Sequence, residues 1–239
     1  PLHKRVSWVI ENPIEVVPGA GVSQRIERND LVVVVFAEDM MYEQKLTYGV
    51  QARNRIIRAI MKTLEKRHPH EGVHSRRVGE ISRALGKALG LKEGDLDTLF
   101  ISAQYHDIGK ISVPESTLEK TASLSEEDYA TIKKHTSMGY QILRSADDFS
   151  DCAVHAFYHH EHYDGSGYPK GLEKESIPLF SRIITLAEAF EDMTSDRPYK
   201  AAVSNDAALR ELKRCSGTYF DPELVALFDK EVYPTLEEL

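Results

Sequence analysis

The sequence predicts a mainly α-helical domain of seven to nine helices, preceded by a short β segment and a connecting helix. Three observations carry this expectation. From Leu46 onward, apolar residues recur with the three-and-four spacing of a helix face. Residues that start and stop helices punctuate the pattern. Before residue 45 the pattern is that of strands: Val6 to Ile10, a turn at Pro18, Gly19 and Gly21, then Leu31 to Phe36.

The elements follow in order. Residues 1–44 read as two or three strands, too few for an independent domain. They resemble the closing strands of a PAS sensor domain, and an unrelated β-hairpin fits them as well. Residues 45–68 form the connecting helix, with Val50, Ile57, Ile60, Met61 and Leu64 on one stripe and an end near Arg67, before Pro69. Such a helix can be a signalling connector, a homodimer seam, or an element packed on its own domain. Residues 69–239 make the main domain. Val78, Ile81, Leu85 and Leu89 form a stripe that Gly90 closes. Leu96, Leu99, Phe100 and Ala103 form the next. Ser125, with Asp128 three residues on, caps a helix carrying Tyr129, Ile132, Met138 and Ile142. Pro178 opens a helix through Ile183, Ile184, Leu186 and Phe190. Ser204 caps another that Gly217 closes, and Asp221-Pro222 starts a last short helix.

Composition narrows the function. Hydrophobic residues make up 41% and charged residues 28% of 239, the balance of a soluble globular protein. No apolar run approaches the roughly 20 residues of a membrane helix, and no secretory signal is visible. A chain beginning at Pro1 leaves room for an upstream segment. Two cysteines, Cys152 and Cys215, make neither a disulfide framework nor a zinc ribbon, which fits a reducing compartment. A net charge of -8 argues against broad DNA binding. An anionic substrate is still open, because bound cations can reverse the local field. The informative count is ten histidines, most of them in short clusters between His68 and His160.

His106-Asp107 is the centre of these clusters. The pair follows the Leu96–Ala103 stripe, so an imidazole and a carboxylate sit at the end of a buried helix. They are expensive to bury unless something pairs with both. A metal does so, and a helix-ending His with a capping Asp is the plainer reading. His159 and His160 are adjacent, so they can reach one metal only if their helix ends there. The Asp164-Gly165-Ser166-Gly167 turn makes an end expected. His155 and His162 read as structural. His135 shares the apolar face of Ile132, Met138 and Ile142, and His74 opens the helix of Val78 and Ile81. Glu188 interrupts an apolar segment and requires a partner. A helix-surface salt bridge is the expectation for Glu191.

His106-Asp107-Ile108-Gly109-Lys110, His159-His160-Glu161, Asp164 to Pro169 and Asp196-Arg197-Pro198-Tyr199-Lys200 together closely resemble the HD-GYP family, over about His70 to Phe228. The His-Asp pair alone marks a much broader phosphohydrolase superfamily. The glycine-tyrosine-proline loop at this distance from two histidines is the specific part. The resemblance implies a bacterial, cytoplasmic phosphodiesterase that hydrolyses cyclic di-GMP to pGpG, GMP or both. It implies an HD-type helical fold and two or three divalent metal ions, iron or manganese. The implied metal ligands are His74, His106, Asp107, His135, His159, His160 and Glu188, with His70 or its neighbour Glu71 as candidates for a third metal. Lys110, Gly167, Tyr168, Pro169, Arg197 and Lys200 are implied to bind substrate. Asp107 and Lys110 are the implied catalytic pair, with a hydroxide bridging two cations as nucleophile.

Two positions depart from the family pattern. Its last ligand is an Asp in an Ala-Asp-x-Phe-Asp segment, and Ala187-Glu188-Ala189-Phe190-Glu191 carries Glu at both acidic positions. The residue four before His74, a Glu in some members, is His70 here. These departures keep two alternatives open: a catalytically weak cyclic di-GMP receptor, and a phosphohydrolase acting on another nucleotide.

Overall fold

A computed structural model describes residues 51–120, 123–196 and 201–238. The β segment expected for 1–44, residues 45–50 of the connecting helix, Arg197 and Lys200 lie outside the described residues. Nine α-helices occur among those described. They are α1 (51–67), α2 (Pro69–Ala88), α3 (Glu93–Tyr105), α4 (Glu115–Leu118), α5 (Glu126–Arg144), α6 (Ser150–Tyr158), α7 (Leu179–Thr194), α8 (Asn205–Arg214) and α9 (Pro222–Leu227). Short 3-10 turns intervene, the important one at Ile108–Ser112. No strand forms among these residues, only the isolated bridges Asp164 to Glu173 and Ser216 to Phe220. None of the described helices is long and apolar enough to cross a membrane.

The punctuation works as the sequence suggests. Pro69 at the first position of α2 lacks an N–H where none is needed, so one helix ends and the next begins across His68. The Ser125 hydroxyl accepts from Asp128 N, and the Asp128 carboxylate accepts from Ser125 N at 2.8 Å, a complete capping box for α5. Ser204 accepts from Ala207 N, and Asp221 accepts from Glu223 N at 2.9 Å. Gly90 ends α2 with φ of +77°.

Two apolar clusters hold the domain. The larger joins Val78, Ile81 and Leu85 of α2 to Leu99 and Ala103 of α3, the Ile183–Phe190 face of α7, and residues of α8 and α9. The smaller joins Ile57 of α1 to Ile108, Leu143, Phe149, Cys152, Ala153 and Ala156. The stripe of α1 therefore packs on its own domain, with Ile57 and Leu64 each 1% exposed. Ala103 belongs to one cluster and Ile108 to the other. His106 and Asp107 lie on the link between them, both buried.

One helix turns differently from its pattern. In α5, Tyr129 and Met138 are exposed, and the buried face is His135, Thr136, Gly139 and Leu143. Apolar spacing alone points to the wrong stripe there. A small residue and a histidine are what this face needs, because the Ile108–Ser112 turn lies against it and His135 serves the site beneath.

Candidate metal centre

Seven of the expected ligands come from three helices and from the links after two others: His74 of α2, His135 of α5 and Glu188 of α7, His106 and Asp107 after α3, and His159 and His160 after α6. Asp107 is 1% exposed and is the hub. Its Oδ1 is 3.2 Å from His135 Nε2 and 3.8 Å from His159 Nε2. Its Oδ2 is 3.2 Å from His106 Nε2 and 2.6 Å from Lys110 Nζ. Two quartets have donor atoms that all lie within 4.8 Å of one another: Asp107, His135, His159 and His160, and His74, His106, Asp107 and Glu188. Asp107 belongs to both. All seven expected ligands other than the third-metal candidate are thus brought together.

Local structure explains how. α6 ends at Tyr158, and His159 is its C-cap residue, so the chain turns out of the helix between the two histidines. That lets adjacent residues converge, with ring centroids 4.1 Å apart. Thr185 of α7 donates to His159 O at 2.5 Å and pins this end.

The imidazole tautomers follow from the backbone. His106 Nδ1 lies 2.6 Å from Ala103 O, His135 Nδ1 2.7 Å from Ile132 O, and His159 Nδ1 2.7 Å from Ala156 O. A carbonyl only accepts, so each Nδ1 carries a hydrogen and each Nε2 is the ring nitrogen turned to the centre. His135 Nε2 and His159 Nε2 face each other at 3.3 Å. Two lone pairs at that distance need a proton or a cation between them. Burial, together with the neighbouring histidines, holds the His159 and His160 imidazoles well below the usual histidine range, so protonation is disfavoured there. In addition His106 Nε2 and both oxygens of Asp107 are buried without a well-aligned hydrogen bond. These residues, imidazoles and carboxylates without thiolate, fit divalent metal.

Lys110 and Glu71 close one side. Lys110 Nζ donates to both Glu71 oxygens, at 3.1 and 3.2 Å. Burial opposes the ammonium charge, but Asp107 and Glu71 outweigh it and raise the Lys110 pKa well above normal. Lys110 is a fixed cation. His70 stands aside: its side chain is 44% exposed, 3.7 Å from Glu71 Oε1. The buried stripe of α2 runs through Glu71, His74, Ser75 and Val78, and His70 lies at its edge. Of the two candidates near a third metal, Glu71 is the one that reaches Lys110.

The Gly-Tyr-Pro loop folds onto the His160 end. Tyr168 stacks on His160 with centroids 4.8 Å apart, and Lys133 Nζ lies 5.0 Å over the same ring. A Cβ on Gly167 would fall 2.3 Å from His162 N and 2.5 Å from His160 O, so only glycine allows this approach. Glu161 is 1% exposed and accepts from Lys170 N at 2.7 Å and Leu172 N at 2.9 Å. Nothing in the residue type marked it beforehand beyond its place after the two histidines. Glu161→Ala should strip a charged acceptor from two amides and cost about 3 kcal/mol; a denaturant midpoint unchanged from the parent would refute this. His155 and His162 stay out of the site. His155 packs on Phe180, and the His162 ring lies over Tyr219. Glu191 departs from the expected surface salt bridge. It is 1% exposed and hydrogen-bonded to His74, because its position on α7 faces α2 rather than solvent.

The chain matches the HD domain family over residues 58–224. It is 36% identical over 179 residues to the cyclic di-GMP phosphodiesterase response regulator RpfG of Xanthomonas campestris pv. campestris, covering 74% of this chain and 47% of the relative. It is 34% identical over 175 residues to the 3'3'-cGAMP-specific phosphodiesterase 3 of Vibrio cholerae, covering 73% and 38%. The chain thus spans less than half the length of either curated relative. Among solved structures, the cyclic GMP-AMP specific phosphodiesterase V-cGAP3 of V. cholerae shares the fold with a TM-score of 0.52, at 24% identity over 68% of this chain and 45% of that one. With the His106-Asp107 pair at the hub of its site and a match spanning most of its length, the chain belongs to the HD domain family.

Proposed function

We propose that this chain is a metal-dependent phosphodiesterase that hydrolyses cyclic di-GMP. The observation that carries the reading is the shared carboxylate: Asp107 presents one oxygen to each of two donor quartets. His135, His159 and His160 would hold one ion and His74, His106 and Glu188 the other, with Asp107 common to both. When bound, such a pair of cations polarises a phosphodiester and acidifies water at neutral pH. Iron or manganese is the expected occupant, and Glu71, next to Lys110, is the better candidate than His70 for a third.

The protein's own groups prepare the substrate. Lys110 supplies a permanent positive charge beside Asp107, suited to a phosphate oxygen. Tyr168 and Gly167 shape a wall next to His160, and the stacked face of Tyr168 suits a purine. Pro169 completes that loop, and Arg197 and Lys200 belong to the same reading as phosphate or guanine contacts. Curated relatives with this domain are phosphodiesterases of cyclic di-GMP and of 3'3'-cGAMP, which supports a cyclic dinucleotide as substrate. The setting is the bacterial cytoplasm, in residues 69–239, downstream of a sensor in residues 1–44 or beyond. A homodimer through the helix before His68 belongs to the same reading, and it would use the outer face of that helix, because Ile57, Met61 and Leu64 are buried in their own domain.

The test is direct. Protein loaded anaerobically with Fe²⁺ or Mn²⁺ is given cyclic di-GMP and, separately, 3'3'-cGAMP, and products are separated by chromatography. Cleavage to pGpG or GMP supports the reading. Fully metallated protein that binds cyclic di-GMP and leaves it intact is instead a receptor, the reading that Glu188 in place of an Asp favours. Preference for 3'3'-cGAMP would move the substrate.

Metal affinity should depend on pH. Burial raises the Glu188 carboxyl to about 8. Burial lowers the His106 imidazole, but Asp107 beside it prevails and brings it up to about 9. Both protons must leave before these groups ligate, so affinity rises as pH rises through 8 and 9, by up to about tenfold per pH unit for each proton displaced. Mn²⁺ titrations between pH 6.5 and 9.5 measure this, and a flat profile would contradict it.

A further inference from the structure

We propose that Glu191 is a positioning residue of the metal centre, fixing the ring of His74 so that Nε2 faces His106, Asp107 and Glu188. The inference rests on the metal-centre reading above and concerns a residue that this reading does not use.

Three imidazoles of the centre are oriented by a carbonyl three residues back in their own helix. His74 is oriented differently. Its Nδ1 makes a hydrogen bond to Glu191 Oε2, a carboxylate from another helix. The imidazole N–H donates and the carboxylate accepts, which places the hydrogen on Nδ1 and the lone pair on Nε2. Both side chains are almost fully buried, 3% and 1% exposed. A carboxylate behind a ligating histidine raises the basicity of the ligand nitrogen as well as locking its rotation.

Glu191 is itself held. Its Oε1 accepts from Ser195 Oγ at 2.5 Å, and Ser195 Oγ accepts from Arg77 Nη1 at 3.0 Å. Arg77 is one turn past His74 on α2. The relay therefore leaves α2 at His74, crosses to Glu191 and Ser195 at the end of α7, and returns to α2 at Arg77. It clamps the two helices whose side chains, His74 and Glu188, complete one quartet. The Glu-x-x-Glu spacing of Glu188 and Glu191 thus has a division of labour: Glu188 faces the quartet, and Glu191 stands behind His74.

His74, Glu191 and Asp192 also have donor atoms within 4.8 Å of one another, with Asp192 Oδ1 3.7 Å from His74 Nδ1. A separate cation held directly by Glu191 is the rival account, and a double-mutant cycle separates the two. Metal-stripped full-length chain is titrated with Mn²⁺ against a chromophoric chelator. Glu191→Ala should weaken one of the two sites about 10- to 100-fold. Glu191→Gln, which keeps an accepting oxygen, should weaken it less. In a His74→Ala background, Glu191→Ala should add nothing. Wild-type affinity in Glu191→Ala overturns the proposal, as does an equal loss with and without His74, which would make Glu191 a ligand in its own right. If Glu191→Ala does not fold by circular dichroism, the cycle is run with Glu191→Gln on the same criteria. None of these readouts uses nucleotide hydrolysis, so an inactive protein with this coupling sinks only the phosphodiesterase reading.

Discussion

Asp107→Asn is expected to empty both metal positions and to lower phosphodiesterase activity by at least about 10³-fold, the loss of several kcal/mol of electrostatic stabilisation. The substitution keeps the shape of the side chain and removes the charge. An amide has one oxygen that can ligate, and its NH₂ would point at the other quartet, where an Nε2 of His135 or His106 turns inward. The protein should still fold without metal. Lys110 is not stranded, because its ammonium keeps both oxygens of Glu71 at 3.1 and 3.2 Å. His160→Ala is the informative contrast. His160 serves one quartet, so it should cost one ion and leave the other. Metal analysis by mass spectrometry with circular dichroism on the same samples reads all of this. Two ions retained by Asp107→Asn would remove the shared-carboxylate model.

What could be read from residue order divides along physical lines. Helix ends were legible because their determinants are local: Ser125 with Asp128, Gly90, Pro69 and Asp221-Pro222 act within a few residues, and each does so here. The histidines and Asp107 were legible because a charged or imidazole side chain inside an apolar stripe calls for a partner, and the HD-GYP resemblance named the set. The buried face of α5 was not legible. His135, Gly139 and Leu143 face inward on account of the turn that packs against them, and no periodicity in α5 contains that turn. Glu191 misled for the same reason. Its spacing on α7 fits an exposed helix pair, and its burial depends on α2 crossing in front of it. Glu161 was passed over, and Glu71 could not be told apart from His70, because their partners, the amides of Lys170 and Leu172 and the ammonium of Lys110, are brought to them by the tertiary fold.

Gly109 and Gly139 give the sharpest test of how the 3-10 turn is seated. A Cβ on Gly109 would fall 1.9 Å from His135 O and 2.6 Å from Gly139 N. These are backbone atoms in the middle of a helix, and they cannot turn aside as a side chain can. Gly109→Ala must therefore push the Ile108–Ser112 turn off α5. That exposes Ile108, now fully buried, and lengthens the 3.2 Å approach of Asp107 Oδ1 to His135 Nε2. The expected cost is at the top of the overpacking range, at least about 3 kcal/mol, or a fall in Tm of roughly 6–12 °C for a domain of this size. Gly139→Ala looks like the same change on the opposite wall and should behave oppositely. Its Cβ would meet Gly109 N at 3.5 Å and His106 O at 3.7 Å, ordinary contacts. Inside a helix, alanine is favoured over glycine by up to about 1 kcal/mol, so this variant should match or slightly exceed the parent. Paired thermal melts on metal-free protein decide the matter: two alanines that behaved alike would mean that the turn does not lie against α5 at Gly109.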